Sequence, residues 1–489
     1  MFPCIGASVT SLRRVFTNFQ KRKSSRPLTV VDYKTVRRSP GMLTTTIRDQ
    51  HESFWVRNGR PNLQGVALVV TACSLGWMIA SENWLFVAGV FALLLLVVRP
   101  IEVALGLYAF LIPFESMTTM DNSTGPTATL LRYVGLLALL VTLGVGWLRN
   151  CIIRPPQTAL FWSLFVLWGG VSTLWAIDQK MALHRLPTAL GLWLLYMALV
   201  SVRITAKEFS WIVLLTILGG LGASIYSGYM FFRTGGAIGR VSLAEGSTLS
   251  DPNFFAIALL LPLSLSFGGV LSSPTWRRRT LFLTGTGVIA FAVFLTMSRG
   301  ALTAVAAITF IFLLRLRLNW KLLLPVAATG AALMFMPRLF FERIQEISAS
   351  RMAGRQDIWQ IGIHSLKSYG VFGAGLDNFS NAFEKYVGTS RFSVGDQRAS
   401  HNIYLTVAVE FGIFGILLLF EAVRSHMRAF PRPARNNLAS SRLVAFEAAC
   451  WGMLIAGFGL DILWRKAFWF VWALSVGAMH VQRENETPY

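Results

Sequence analysis

The sequence predicts an all-α, polytopic membrane protein with about 12–14 transmembrane helices and one long loop, 337–400, that contains short helices. Of its 489 residues, 54% are apolar and only 14% are charged, whereas soluble domains carry about 25% charge. Repeated windows reach the roughly 17–25 apolar residues that cross a bilayer. These apolar runs are continuous rather than alternating, which excludes a β-barrel.

The transmembrane helices are predicted from a series of apolar segments along the chain. They lie near 64–80, 84–98, 101–114, 130–148, 158–176, 187–202, 209–231, 253–271, 280–297, 300–315, 319–336, 401–421, 443–463 and 467–482. The segments at 84–98, 101–114 and 300–315 are short for a span. Residues 1–62 precede them as a basic tail without the apolar core of a signal peptide, so we expect this tail to be cytoplasmic and disordered.

The distribution of Lys and Arg predicts which side each linker faces. A net charge of +22 would indicate nucleic-acid binding in a soluble protein, but here the cations concentrate in the tail and in alternate linkers. With the tail inside the cell, the short loops satisfy the positive-inside rule. The loop 337–400 then faces the periplasm, and no nucleic-acid partner is expected. The tail itself either touches anionic lipid heads or only anchors the topology.

Arg299 is the first candidate for chemistry. Residues 280–315 form one apolar stretch that is interrupted only by Ser298-Arg299-Gly300, so two helices are predicted to meet there at the outer surface. A guanidinium at that depth needs water or an anion. The structural alternative is an arginine that snorkels and simply marks the turn.

Arg355 is the second candidate. The apolar stripe Ile358, Ile361 and Leu366 predicts a helix that begins near Gly354, and a cation in its first turn opposes the helix dipole. An anion held between the exposed N–H groups and the guanidinium removes that conflict, with Arg351 assisting. The alternative is an exposed arginine that tolerates a small penalty.

His401 is the third candidate, because it begins a membrane helix at the end of the long loop. Its imidazole titrates near neutrality, which suits a general base that takes a proton from a sugar hydroxyl. The alternative is a structural hydrogen-bonding role. Asn402 beside it and Arg240 in the loop 232–252 are further candidates for substrate contact, whereas Asp251 or Asn253 is expected to cap the next helix.

Arginines and a histidine at one membrane face suit a lipid-anchored diphosphate. Guanidinium groups pair with phosphate oxygens and would stabilise the negative charge that grows as the sugar–phosphate bond breaks. The sequence contains no metal cluster, no phosphate-cradling glycine loop with Lys, and no nucleophilic Ser or Cys motif. We therefore expect no metal and no cofactor.

The order of these elements over 209–425 resembles the O-antigen ligase/polymerase family of bacterial envelope glycan enzymes. The shared motifs are Asp251-Pro252-Asn253, Ser298-Arg299-Gly300, Gly354-Arg355 with Trp359, Gly373-x-Gly375, Asn378-Phe379, His401-Asn402-x-Tyr404-Leu405 and Glu410-x-Gly412-x-x-Gly415. The resemblance implies a metal-independent, GT-C-like glycosyltransferase that moves glycan from an undecaprenyl diphosphate carrier to a hydroxyl acceptor. It also implies catalytic roles for Arg299, Arg355 and His401.

The resemblance further implies a multi-pass protein of the bacterial inner membrane, in contact with membrane lipids. Its regions would be the tail (1–62), N-terminal transmembrane helices (63–208), a catalytic region (209–425) and C-terminal transmembrane helices (426–489). The acceptor could be lipid A–core, a growing glycan or a protein, so ligase and O-antigen or exopolysaccharide polymerase both stay open. The alternatives from other classes are an exporter or flippase of polysaccharide or lipid-linked sugar, and a structural scaffold.

Overall fold

The computed structural model describes residues 100–118, 129–234, 240–243, 251–317, 355–387, 399–431 and 440–486. Within these ranges the secondary structure is helical, and an isolated β-bridge between Ile152 and Val202 stands outside any strand. Nine helical segments of this part are long and apolar enough to cross a membrane. The predicted all-α, polytopic class is therefore confirmed. The tail 1–62 and the predicted spans at 64–80, 84–98 and 319–336 lie outside the described residues.

Fourteen α-helices are described, and two short 3-10 segments, Ile112–Thr118 and Ser172–Trp175, extend the first and third. The helices are α1 Pro100–Leu111, α2 Leu130–Leu148, α3 Gln157–Val171, α4 Gln179–Ser201, α5 Ala206–Arg233, α6 Pro252–Ala258, α7 Leu260–Ser272, α8 Trp276–Leu295, α9 Arg299–Leu316, α10 Arg355–Tyr369, α11 Phe379–Glu384, α12 Ile403–Ala429, α13 Ser440–Ala456 and α14 Lys466–Glu486.

The long helices run up and down between two ends. We call the end at which α9, α10 and α12 begin the site end, and the opposite one the basic end. At the site end, Asp178 before α4 receives a hydrogen bond from Asn378 before α11. At the basic end, the turn after α2 meets the end of α4, where Arg203 N donates to Cys151 O at 2.8 Å. The cations of the basic end are partly paired there: Arg149 contacts Glu208 at 2.8 Å, and Arg315 pairs with Glu447.

An aromatic core surrounds α14, whose side chains are almost all buried. The ring of Trp162 from α3 lies 5.4 Å from Trp469 and 5.2 Å from Trp472, centroid to centroid. Tyr108 of α1 packs edge-on against Phe470 at 5.6 Å. Aromatic pairs at these distances contribute beyond their buried area, so α14 ties the helices before it into one bundle.

Several helix boundaries differ from the sequence prediction, and two of them bear on the site. Helix α4 begins at Gln179 rather than near 187, because the Asp178 side chain accepts hydrogen bonds from Lys180 N and Met181 N and so caps it. Its first two turns contain Gln179, Lys180, His184 and Arg185 among apolar residues, so the sequence shows no continuous apolar segment there. The predicted span 443–463 is also wrong at its end: α13 stops at Ala456, where the glycines at 457 and 459 begin a loop.

Helix α12 is interrupted at Gly412, whose φ of 64° and ψ of −159° are accessible essentially to glycine alone. The turn that follows α10 fills the break. Ala374 N and Gly375 N donate to the carbonyls of Val409 and Glu410 at 2.8 and 2.9 Å, and Ile413 N donates to Gly370 O at 2.8 Å. Irregular backbone within a span persists only where protein or a polar cavity satisfies it. The turn at 370–376 therefore belongs structurally to α12.

Candidate active site

Arg299 lies where the sequence predicted it, at the junction of two helices. Helix α8 ends at Leu295 and α9 begins at Arg299. Ser298 caps α9 by accepting a hydrogen bond from Ala301 N at 3.4 Å, and Met297 makes the reversal with a φ of +50°. The cap fixes the first residue of α9, and the Arg299 side chain is exposed at the site end.

Arg355 is the first residue of α10, as predicted, and it lies next to the α8–α9 junction. Its Nη1 is 3.4 Å from the point that a Cβ on Gly459 would occupy, and the Cα of Gly300 is 3.9 Å from the same point. Gly300 follows Arg299 directly. Two arginines that are far apart in sequence are thus brought to one place, with the loop after α13 between them.

The two guanidinium groups influence each other. Burial and the positive charge of Arg299 lower the pKa of Arg355, and the negative charge of Asp251 offsets part of this shift. None of the ion pairs among the described residues involves either arginine. Neighbouring cations without a carboxylate partner favour the binding of an anion, which relieves their repulsion.

His401 lies in a tight turn directly before α12, with a left-handed backbone φ of +48°. Asn402 caps the helix, because its Oδ1 accepts hydrogen bonds from Tyr404 N and Leu405 N at 2.9 and 3.1 Å. Ile403 N donates to Gly457 O at 2.9 Å. The amide oxygen of Asn402 is therefore engaged in the cap, and the His401 turn is fixed to the loop after α13.

Trp359 links the His401 turn to the helix that begins with Arg355. Its indole Nε1 donates to the carbonyl of Ser400 at 3.0 Å. The Ser400 hydroxyl donates to Asn402 O at 2.9 Å and accepts from Asn402 N at 3.0 Å. Helix α10 thus holds an arginine at its first residue and orients the histidine turn one helical turn later.

Residues 457–465, which we call the connecting loop, join α13 to α14 and touch each of these parts. The ring of Phe458 lies 4.4 Å from that of Tyr404, centroid to centroid. Asp461 accepts a hydrogen bond from the Thr406 hydroxyl at 3.2 Å. Most of this loop was predicted as the end of the membrane span 443–463, so its place at the site was not recognised. The signal was present in Gly457-Phe458-Gly459, which interrupts the apolar segment.

Arg240 is held at the same junction. Its Nε donates to Thr296 O at 3.1 Å, and its Nη2 donates to Asn253 Oδ1 at 2.8 Å. Asp251 caps α6 by accepting from Asn253 N at 2.8 Å, so the predicted cap is confirmed at Asp251. Arg240 is therefore bound to the end of α8, at Thr296, three residues before Arg299 in the sequence. Arg351 lies outside the described residues.

A cavity of about 1040 Å³, which we call the chamber, opens beside the His401 turn. It is bounded by α2, α4, α11, the break in α12 and the connecting loop. Arg185 and Asp377 on its wall form an ion pair at 2.8 Å, and His184 lies beside them. These three residues were not predicted as site residues, because Asp377 is far from His184 and Arg185 in the sequence and meets them only in the fold.

Comparisons with known proteins agree with the geometry. Residues 284–420 match the model of a family described as O-antigen ligase, and this range contains Arg299, Arg355 and His401. The resemblance found in the sequence is thereby confirmed. No curated protein matched the chain. The described residues contain no group of three or more His, Cys, Asp or Glu side chains that could hold a metal ion.

Proposed function

We propose, from the O-antigen ligase/polymerase family region at 284–420, that this protein is a membrane glycosyltransferase. In this proposal it moves a glycan from an undecaprenyl diphosphate carrier to a hydroxyl acceptor at the periplasmic face of the bacterial inner membrane. The observation that supports it best is that Arg355 and the start of the Arg299 helix both lie next to Gly459 of the connecting loop, to which the His401 turn is also bound.

In the proposed reaction the two arginines bind the diphosphate of the donor. The bond between the anomeric carbon and the diphosphate oxygen breaks, and its electron pair passes to that oxygen. Guanidinium groups held at the starts of α9 and α10 stabilise this growing charge more than the charge of the intact donor. Because the protein supplies this positive charge itself, the proposed step uses no metal ion.

His401 is proposed as the general base. It removes the proton of the acceptor hydroxyl while that oxygen attacks the anomeric carbon from the face opposite the departing diphosphate, which inverts the configuration. The left-handed backbone at His401 costs on the order of 1–3 kcal/mol, and the bonds from Trp359, Ser400 and Gly457 to the turn compensate it. A strained, externally braced turn is typical of residues that must be oriented for function.

Three further residues are proposed to contact substrate. Arg240, bound to Thr296 and Asn253, would add a third positive charge near the diphosphate. The amide nitrogen of Asn402 would contact the donor or the acceptor, since its amide oxygen caps α12. Arg351 is proposed from the sequence. The acceptor is lipid A–core, a growing glycan or a protein.

The test is glycan transfer in vitro from a purified lipid-linked diphosphate donor to defined acceptors. Replacing Arg299, Arg355 or His401 by alanine should lower turnover by about 10²–10³-fold, the size expected for loss of one group that stabilises transition-state charge. Arg279→Ala, an exposed arginine of the basic end, is the matched control and should keep full turnover. Full turnover by the Arg299/Arg355 double alanine variant would disprove the proposal.

The same variants distinguish an enzyme from an exporter in cells. If the protein is a transferase, Arg355→Ala leaves lipid-linked glycan on the periplasmic leaflet, where the unused donor accumulates. A blocked exporter would instead trap it on the cytoplasmic leaflet. A structural scaffold would tolerate both Arg355→Ala and His401→Ala without any accumulation.

A further inference from the structure

We infer that the chamber beside the His401 turn binds the acceptor as a hydroxyl-rich carbohydrate, on the side of the histidine away from the arginine pair. This inference rests on the proposed function and assigns the second substrate to a defined place. It is carried by the charge balance of the chamber, by its position and by its size.

The charge on the chamber wall is balanced among the described residues. Four cationic side chains line it: Arg132, Arg185, Arg465 and Lys466. Four carboxylates line it as well: Glu115, Asp377, Glu410 and Asp461. Because basic and acidic side chains are equal in number here, the wall has no large excess of positive charge that would hold a diphosphate. Sugar hydroxyls both donate and accept hydrogen bonds, so a neutral glycan can use both sets.

The chamber adjoins the His401 turn, although His401 itself is not part of its described lining. Ala399 and Thr406, which flank the histidine turn in sequence, both line the chamber, and so does Asp461. Arg299, Arg355 and Arg240 do not line it. Arg355 instead packs against Gly459, two residues before Asp461. The connecting loop and the histidine turn therefore lie between the chamber and the arginine pair, so an acceptor in the chamber and a donor at the arginines would approach His401 from two directions.

The size of the chamber agrees with an oligosaccharide. Its volume of about 1040 Å³ reaches the top of the range of roughly 300–1,000 Å³ found for small-molecule sites. Tyr133, whose side chain is largely exposed, adds an aromatic ring to the wall beside the charged groups. Sites that recognise hydroxyl groups by paired polar contacts discriminate strongly against analogues that lack them.

Gly191 of α4 offers a way to fill the chamber without touching its charges. It lines the chamber, and no described atom lies within 4 Å of the position that a Cβ would take. Gly191→Trp should raise the KM for the acceptor at least about tenfold, which corresponds to about 1.4 kcal/mol of binding, and leave the KM for the donor unchanged. Gly144→Trp in α2 is the matched control, because Gly144 is equally open but does not line the chamber.

Asp377→Asn is the second variant. It removes the charge that pairs with Arg185 while keeping size, and asparagine tolerates the left-handed φ of 59° at this position. It should also raise the acceptor KM alone. Should Gly191→Trp fail to fold, Gly191→Leu and Asp377→Asn decide by the same measurement.

Lipid A–core and a lipid-linked glycan are supplied as acceptors in separate reactions. The acceptor whose KM rises in the variants is the one that binds in the chamber. An unchanged acceptor KM, a rise confined to the donor KM, or a peptide acceptor used equally by Gly191→Trp and Gly144→Trp overturns the inference. In those cases the wild type still transfers glycan, so the proposed function stands. Failure of the wild type to transfer glycan overturns both.

Discussion

Arg355 is half-buried, and the neighbouring charge with the largest effect on its pKa is another cation, Arg299. Burial and a nearby like charge both disfavour a cation, so the two rarely occur together. Burial of an unpaired charge costs free energy, and the helix start at which it lies adds a small unfavourable dipole term. An anionic ligand reverses each of these penalties. The proposed binding of the donor diphosphate would offset these penalties.

The lowered pKa of Arg355 predicts a pH effect in a lysine variant. Burial and Arg299 both disfavour the protonated form, and lysine begins from an ordinary pKa of about 10.4, below that of arginine. In Arg355→Lys the cation should therefore be lost as pH rises toward 10, and the KM for the lipid diphosphate should rise with it. Wild type should stay flat between about pH 8 and 10. Parallel KM profiles for the two proteins would contradict this prediction.

Trp359 is predicted to position His401 through a single hydrogen bond. Trp359→Phe removes the donor to Ser400 O, an interaction of about 1 kcal/mol, and we expect kcat to fall about tenfold with the donor KM unchanged. Trp472→Phe is the control, because its indole Nε1 has no partner among the described residues. Both variants should lose thermal stability, but only Trp359→Phe should lose kcat. Equal kcat values in the two variants would exclude the positioning role.

At the scale of elements, the interruption of α12 connects the helix that follows the His401 turn to the turn at 370–376, and through it to the wall of the chamber. The turn at 370–376 bonds to the carbonyls freed at Gly412, and directly after it Asp377 and Phe379 reach Arg185 and Glu410. Discontinuous helices commonly build binding sites at membrane depth, because they expose polar groups that a continuous helix would satisfy internally.

Gly412→Ala tests this element. A Cβ at Gly412 would lie 2.2 Å from the carbonyl oxygen of Val371, in a backbone region that only glycine occupies readily. We expect a loss of at least about 2 kcal/mol in the free energy of unfolding, measured as a lower Tm in detergent. Gly144→Ala, in open space within α2, should be neutral or gain up to about 1 kcal/mol. A Tm for Gly412→Ala equal to that of wild type would show that the break is not required.

The helices could be predicted because an apolar run is visible within one segment of the sequence. The candidate site could be predicted only where a polar residue interrupts such a run. The α2 bounds were predicted as observed, and Arg299, Arg355 and His401 were selected as candidates because Arg299 and Arg355 each start a helix and His401 lies just before one. Arg185, Asp377 and the connecting loop were not found. Their meaning depends on contacts between segments about 200 residues apart, for which one sequence gives no periodic signal.

At the scale of the whole molecule, the clustered cations of the short linkers lie at one end of the described helices. The cations of the linkers Arg149–Arg154, Arg203–Lys207 and Arg277–Arg279 all lie at the end opposite His401. The positive-inside rule then predicts that the basic end faces the cytoplasm and the site end the periplasm. This orientation is a premise of the proposed function, since the arginine pair must meet a donor on the outer leaflet.

Thiol labelling can measure this orientation, because Cys151 lies partly exposed at the basic end and Cys450 is buried. With Cys4 and Cys73 replaced by serine, a membrane-impermeant maleimide should leave Cys151 unlabelled in intact spheroplasts and label it after lysis. In the same background with Cys151→Ser, Glu384→Cys in the exposed part of α11 should be labelled in intact spheroplasts. The reverse pattern would place Arg299, Arg355 and His401 in the cytoplasm. A glycan donor on the outer leaflet could then not reach them, and the transferase proposal would fail with the orientation.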